Sequence, residues 1–146
     1  MKKKTIYTIG IVIVLLVSIV VYCKPLSLSD AANEDNQIIM ILNEYGVRNG
    51  EPYLDSTEYK DLTMEQNRSV LTVLEKYPYR RTIGTPFSDG SISGLGTQML
   101  SIYVFDMTAS IDSIFVTSSG KIAVNGKNYT MKNAEQFIAE IVEIVA

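Results

Sequence analysis

Hydrophobic residues are spaced in three ways along this chain: an unbroken run at the start, helical periodicity in two later segments, and alternation in a block between them. The run covers residues 5–22, follows Lys2-Lys3-Lys4 and precedes Cys23-Lys24-Pro25. Eighteen helical residues reach about 27 Å at about 1.5 Å each, close to the hydrocarbon thickness of a bilayer. Its few polar residues, Thr5, Thr8 and Ser18, form no polar face, so the run predicts a transmembrane helix rather than a core helix. The second regime begins at Thr63-Met64-Glu65-Gln66, a capping box in which threonine hydroxyl and glutamine side chain satisfy each other's backbone amides. Val70, Val73, Leu74 and Tyr77 follow at helical spacing until Pro78, which predicts a helix over 64–76. A last helix runs from Asn133 as N-cap to about Val145. Its buried stripe is Phe137, Ile138, Ile141, Val142 and Val145, with Glu135, Glu140 and Glu143 outward.

Between and before these helices the pattern is β. Ile38-Ile39-Met40-Ile41-Leu42 is short and β-branched and fits a buried strand, although Ile38, Ile41, Leu42 and Tyr45 also keep helical spacing. Residues 46–57, with Gly46, Gly50 and Pro52, read as a loop or hairpin connection. Strands follow over 79–83, 99–106, 111–117, 121–124 and 127–131. The turns Ser118-Ser119-Gly120 and Asn125-Gly126 join the last three, and Asn-Gly between alternating segments is a strong hairpin signal. These turns leave the last strands too close in sequence for crossover helices, which disfavours a parallel doubly wound sheet. The fold class expected is α+β: an antiparallel β-meander sheet with two helices packed on it, preceded by a single N-terminal transmembrane helix. Residues 1–23 form the cytoplasmic stub and span, 24–36 a short tether, and 37–146 the extracytoplasmic domain.

Charge adds a direction. The three lysines ahead of the span favour a cytoplasmic amino terminus. The exported part holds ten of the thirteen Lys+Arg and all sixteen Asp+Glu, a net charge of −6. That balance argues against nucleic acid and against broad adhesion to anionic lipid. The alternative to an anchor is a signal peptide cut near Ala31, where Ser29-Asp30-Ala31 supplies small residues. The apolar run is long for a signal peptide, and such a cut lies far from its end, so the anchor is preferred. Val20-Val21-Tyr22-Cys23 has the outline of a lipobox but places tyrosine where a small residue is needed.

Composition narrows the chemistry. With 47% hydrophobic and 20% charged residues, the chain is that of a packed globule. There is no histidine and one cysteine, which removes histidine-based triads, His and Cys-cluster metal sites and intramolecular disulfides. The glycine-rich stretch 84–96 lacks the Gly-Lys-Ser/Thr of a phosphate loop. Its Gly90-Ser91-Ile92-Ser93-Gly94 puts isoleucine where a nucleophile elbow has serine. It reads as a mobile surface loop. A lysine partner for serine catalysis would be Lys76 or Lys121, and neither is singled out by spacing. Asp55, Glu58, Asp61 and Glu65 suit a solvated helix start and lack the alternation of a calcium loop. The sequons at Asn67 and Asn128 read as chance matches. No cofactor is called for.

Tyr77-Pro78-Tyr79-Arg80-Arg81 joins aromatic rings to the one compact positive cluster of the exported part. With Phe87, Ser88 and Asp89 of the following loop it makes the expected binding set: Tyr77, Tyr79, Arg80, Arg81, Phe87, Ser88 and Asp89.

Ser113-Ile114-Phe115-Val116, then Gly120-Lys121-Ile122-Ala123-Val124-Asn125-Gly126-Lys127-Asn128-Tyr129, then an amphipathic helix, resembles small exported or membrane-anchored domains of unknown function from Gram-positive bacteria. The lysine-led span and the 64–76 helix fit the same pattern. The resemblance implies location and architecture and carries over no catalytic residue. The expectation is an anchored extracytoplasmic binding module, not an enzyme, whose partner is an envelope protein or peptide. The alternative is an envelope hydrolase using paired carboxylates. A sensor finds too little chain inside the membrane, Met1 to Lys4, for an output domain.

Overall fold

The computed structural model describes residues 3–94, 96–107 and 111–146. Among these are three α-helices and one seven-stranded antiparallel sheet. Helix α1 (Lys3–Tyr22) is long and apolar enough to cross a membrane, and none of its apolar window is buried by the rest of the chain. Strands β1 (Gln37–Arg48) and β2 (Glu51–Tyr59) form a long hairpin. Helix α2 (Met64–Lys76) follows, then the short strand β3 (Tyr79–Arg80), and then the meander β4 (Gln98–Phe105), β5 (Ile111–Thr117), β6 (Lys121–Val124) and β7 (Lys127–Met131). Helix α3 (Ala134–Val145) closes the chain. The strand order is β2-β1-β4-β5-β6-β7-β3.

Register explains the core. Met40, Ile102, Ile114 and Val124 lie side by side across four strands, as do Leu42, Leu100, Val116 and Ile122. With Ile38 and Val104 these residues are buried against Val70, Val73 and Leu74 of α2 and Phe137, Ile138 and Ile141 of α3. The helices therefore cover one face of the sheet. The capping box of α2 is formed as expected, with the Thr63 hydroxyl accepting from the Gln66 amide at 3.2 Å and the Gln66 side chain accepting from the Thr63 amide at 3.0 Å. Asn133 precedes α3 but does not cap it with its side chain. It sits in the left-handed region (φ 57°), which asparagine tolerates, and turns the chain from β7 into the helix.

Of the two readings of residues 46–57 the hairpin holds and the loop does not, and two further expectations are corrected. β1 runs on to Arg48, Asn49-Gly50 turns with φ of 55° and 85°, and β2 returns. Both central residues at positive φ make this a type I′-like turn, matched to strand twist. The strand over 79–83 stops at Arg80, because the Thr82 amide turns aside to the Thr85 hydroxyl at 2.8 Å. Residues 24–36 are not a free tether. Leu26 pairs with Tyr79 through two backbone bonds of 2.8 and 3.0 Å, extending the sheet past β3. Leu28 is only 1% exposed within the main core. Asn67 of α2 donates to the carbonyls of Glu34 and Asn36, tying the end of the segment down and giving one sequon asparagine a structural job.

Candidate functional site

The expected binding set is divided by the fold. Tyr77 turns into the helix layer, its ring 5.5 Å edge-on from Phe137 and its hydroxyl donating to Glu140 at 2.7 Å. Tyr79 is buried edge-on against Tyr129 at 4.9 Å. Both phenols are pushed above the ordinary tyrosine value, first by burial, then by Glu140 for Tyr77 and by Tyr129 for Tyr79. Arg80 is exposed. Arg81 lies over the ring of Tyr22 at 5.6 Å, and Phe87 projects into solvent. Ser88 is structural: its hydroxyl donates to the Thr85 carbonyl and accepts from the Asn128 amide. Asp89 folds back on Ser91, whose hydroxyl and amide hold its carboxyl below the usual range. Arg80, Arg81 and Phe87 thus share one edge, while the tyrosines serve the interior.

Glu140, expected to face outward, is half-buried between α2 and α3. It accepts from Lys76 at 2.7 and 2.9 Å as well as from Tyr77. These bonds hold the Glu140 carboxyl below its ordinary pKa and, as the first cause, raise that of Lys76. The cluster is a clamp between two helices. Its sign is fixed by linkage: the Glu140 contribution is present above the ordinary carboxylate range and lost as pH falls through the depressed value, and the Lys76 contribution is lost as pH rises through the elevated one. Glu140→Gln is expected to flatten the acid limb of stability, read as urea midpoint against pH. A limb unchanged from the parent would remove Glu140 from the clamp.

The 84–96 stretch, expected to be mobile, is fastened across β6 and β7. Lys127 donates to the carbonyls of Pro86 and Ser88 at 3.2 and 2.8 Å. Asn128 donates to Ser91, Lys121 to Ser93, and the Ser119 hydroxyl to the Gly94 carbonyl. Gly90, at φ 83°, lies so close to Gly126 that a Cβ would come within 2.8 Å of the Gly126 Cα. Leu95 of this stretch lies outside the described residues. A cleft of about 380 Å³ opens beside residues 29–36, lined by Asp30, Asp106 and Asp112 among others. Asp112 already accepts from Asn125 at 2.7 Å, and among the described residues no group of three acids, cysteines or histidines is placed to hold a metal.

The surface that sequence reasoning missed is the sheet face away from the helices. Ile39, Tyr103 and Ser113 pair across it, then Ile41, Ser101, Phe115 and Ala123. The Tyr103 and Phe115 rings meet edge-on at 5.8 Å, and both are half-buried, as are Ile39, Ile41 and Met99, while Ser101, Thr117 and Ala123 on the same face are buried. Beyond Glu44, β1 continues past its β4 pairing and with β2 makes a two-stranded ribbon. On this face Asn43 and Ser56 pair and hydrogen-bond each other, and beyond them Tyr45 opposes Leu54 and Val47 opposes Pro52, where Val47 and Leu54 are exposed. The reverse of the ribbon is polar: Arg48 stacks on Tyr53 at 4.5 Å and pairs with Asp55 at 3.3 Å, with the Tyr53 ring against Gly46. The alternation of Ile39, Ile41, Tyr45 and Val47 was the available signal.

No family model, curated protein or solved structure matches the chain. The class defined by the fold is a seven-stranded antiparallel α+β domain with its helices packed on one face of the sheet, led by an apolar helix.

Proposed function

We propose that the protein is a membrane-anchored, extracytoplasmic binding module that takes a protein or peptide partner on the open sheet face and the β1–β2 ribbon. The observation carrying this reading is the pair of exposed apolar side chains Val47 and Leu54 on the ribbon, on the same sheet face as half-buried Ile39, Ile41, Tyr103 and Phe115, with the hydrogen-bonded Asn43 and Ser56 between the two groups. Contiguous exposed apolar surface rimmed by polar groups marks interaction sites. Glu58 opposes Ile41 on this face while Arg48, Glu51 and Asp55 lie on the reverse of the ribbon, and the acids with Pro52 discourage indiscriminate pairing along the β2 edge. The ribbon lies at the opposite edge of the sheet from β3, where the chain enters from α1. Six interstrand steps separate these edges, about 29 Å at about 4.8 Å each. The anchor itself is supported by a packing argument. A cut after Ala31 would remove Leu26 from the sheet and Leu28 from the core.

A photo-crosslinking residue at Leu54 in intact cells is expected to capture a defined protein band, and one at exposed Met64 on α2 is not. Equal yields at both positions, or no product at Leu54, would contradict the binding surface.

A further inference from the structure

The turn after β3 exposes large apolar side chains for which the fold has no use. Ile83 is 85% exposed and Phe87 is 89% exposed, with exposed Pro86 between them. The turn is nevertheless rigidly built. Buried Thr85 receives the Thr82 amide on its hydroxyl at 2.8 Å, donates that hydroxyl to the Asn128 carbonyl at 2.7 Å, and bonds its own amide to Thr82. The Phe87 amide closes on Gly84, and the Lys127 ammonium grips both Pro86 and Ser88. Ile83 and Phe87 are therefore held outward.

Their neighbours give the direction. Arg81 stacks on Tyr22, the last residue of α1, with 5.6 Å from guanidinium to ring centroid. Leu26, four residues past Tyr22, is bonded to Tyr79. Where α1 crosses a membrane, Tyr22 lies at the hydrocarbon boundary, and a group this close to it lies in the headgroup layer. Arg80, Arg81 and Lys127, the last bonded to Pro86 and Ser88, bring positive charge to this edge, beside the carboxylates of Asp89 in the turn and Asp30 near Tyr79. Cationic side chains beside protruding aromatic and aliphatic ones are the composition that partitions into an anionic interface.

We propose that the turn 82–88, with Arg80 and Arg81, docks into the headgroup layer of the bilayer that α1 crosses. The domain then stands with its β3 edge on the membrane and its ribbon outermost. This rests on the anchored reading above. The net charge of −6 opposes adhesion of the domain as a whole, and the docking uses the edge that carries Arg80 and Arg81.

The test uses the full chain, with Cys23→Ser, carrying a bimane label through Phe87→Cys or Leu54→Cys. It is reconstituted in phosphatidylcholine–phosphatidylglycerol vesicles containing a nitroxide lipid. Both positions are exposed, so neither change disturbs the core. Quenching by the lipid is expected to be several-fold stronger at position 87 than at 54. The double change Arg80→Glu, Arg81→Glu is expected to reduce that contrast when phosphatidylglycerol is present. Equal quenching at the two positions, in protein that resists alkaline carbonate extraction, would overturn the docking and leave the anchor standing. Release by carbonate would overturn the anchor and the docking together. A contrast indifferent to the arginine reversals would overturn the electrostatic part.

Discussion

Leu28→Ala lowers the free energy of unfolding by about 2–5 kcal/mol, the range for emptying a fully buried leucine site. The size follows from position. Leu28 is 1% exposed and lies in the same cluster as residues of β1, α2 and α3. It is held there by a short helical turn, Leu28–Ala31, whose Ser29 amide bonds to the Ser27 hydroxyl at 3.2 Å. The alanine side chain would leave a cavity that the sheet, fixed by its ladders, can only partly fill. Urea unfolding of the full chain in detergent micelles, read by pulse proteolysis, measures the change. A loss under about 0.5 kcal/mol, the scale of an ordinary surface substitution, would mean that residues 24–36 are a dispensable tether.

On the proposed anchoring, Ile13→Arg with Leu16→Arg is expected to abolish membrane association while leaving the domain as stable as before. An arginine at the centre of a spanning helix costs about 2.5–3.5 kcal/mol of insertion free energy. Both side chains are more than half exposed, at 55% and 57%, and neither touches the core. The two readouts separate the roles of α1 and the domain. Membrane fractionation should show the protein moving to the soluble fraction, and the urea midpoint should not move. Retention in the membrane fraction would contradict the anchoring role of α1. A lowered midpoint would show that α1 packs on the domain.

Much of this architecture was legible because local chemistry decides it. The Thr63–Gln66 capping box and Pro78 bracket α2, and Ser118-Ser119-Gly120 and Asn125-Gly126 bound β6, whose span matches the expected one. What was hidden depends on distant partners. β2 is exposed along most of its length, so it carries no apolar alternation, and its pairing rests on the Asn49-Gly50 turn and the backbone ladder. Leu28 is a lone leucine among small polar residues, and only the tertiary fold shows that it is core. Tyr77 and Arg81 are neighbours in sequence but serve different surfaces, because the chain turns at Pro78 and again at Thr82. The open face was half legible: its residues were seen as strand positions, but which side the helices would cover was not.

The central claim is that an uncleaved α1 holds the domain outside the membrane, and it is tested most directly by mass and topology together. Intact cells are treated with protease and the membrane-bound product is weighed by mass spectrometry, alongside the untreated protein. The account predicts an untreated mass that includes Lys2–Lys4 and the apolar run, and loss of the domain under protease with α1 retained in the membrane. An untreated protein that begins at Ala32, or a domain that protease reaches only after the cells are opened, would contradict it.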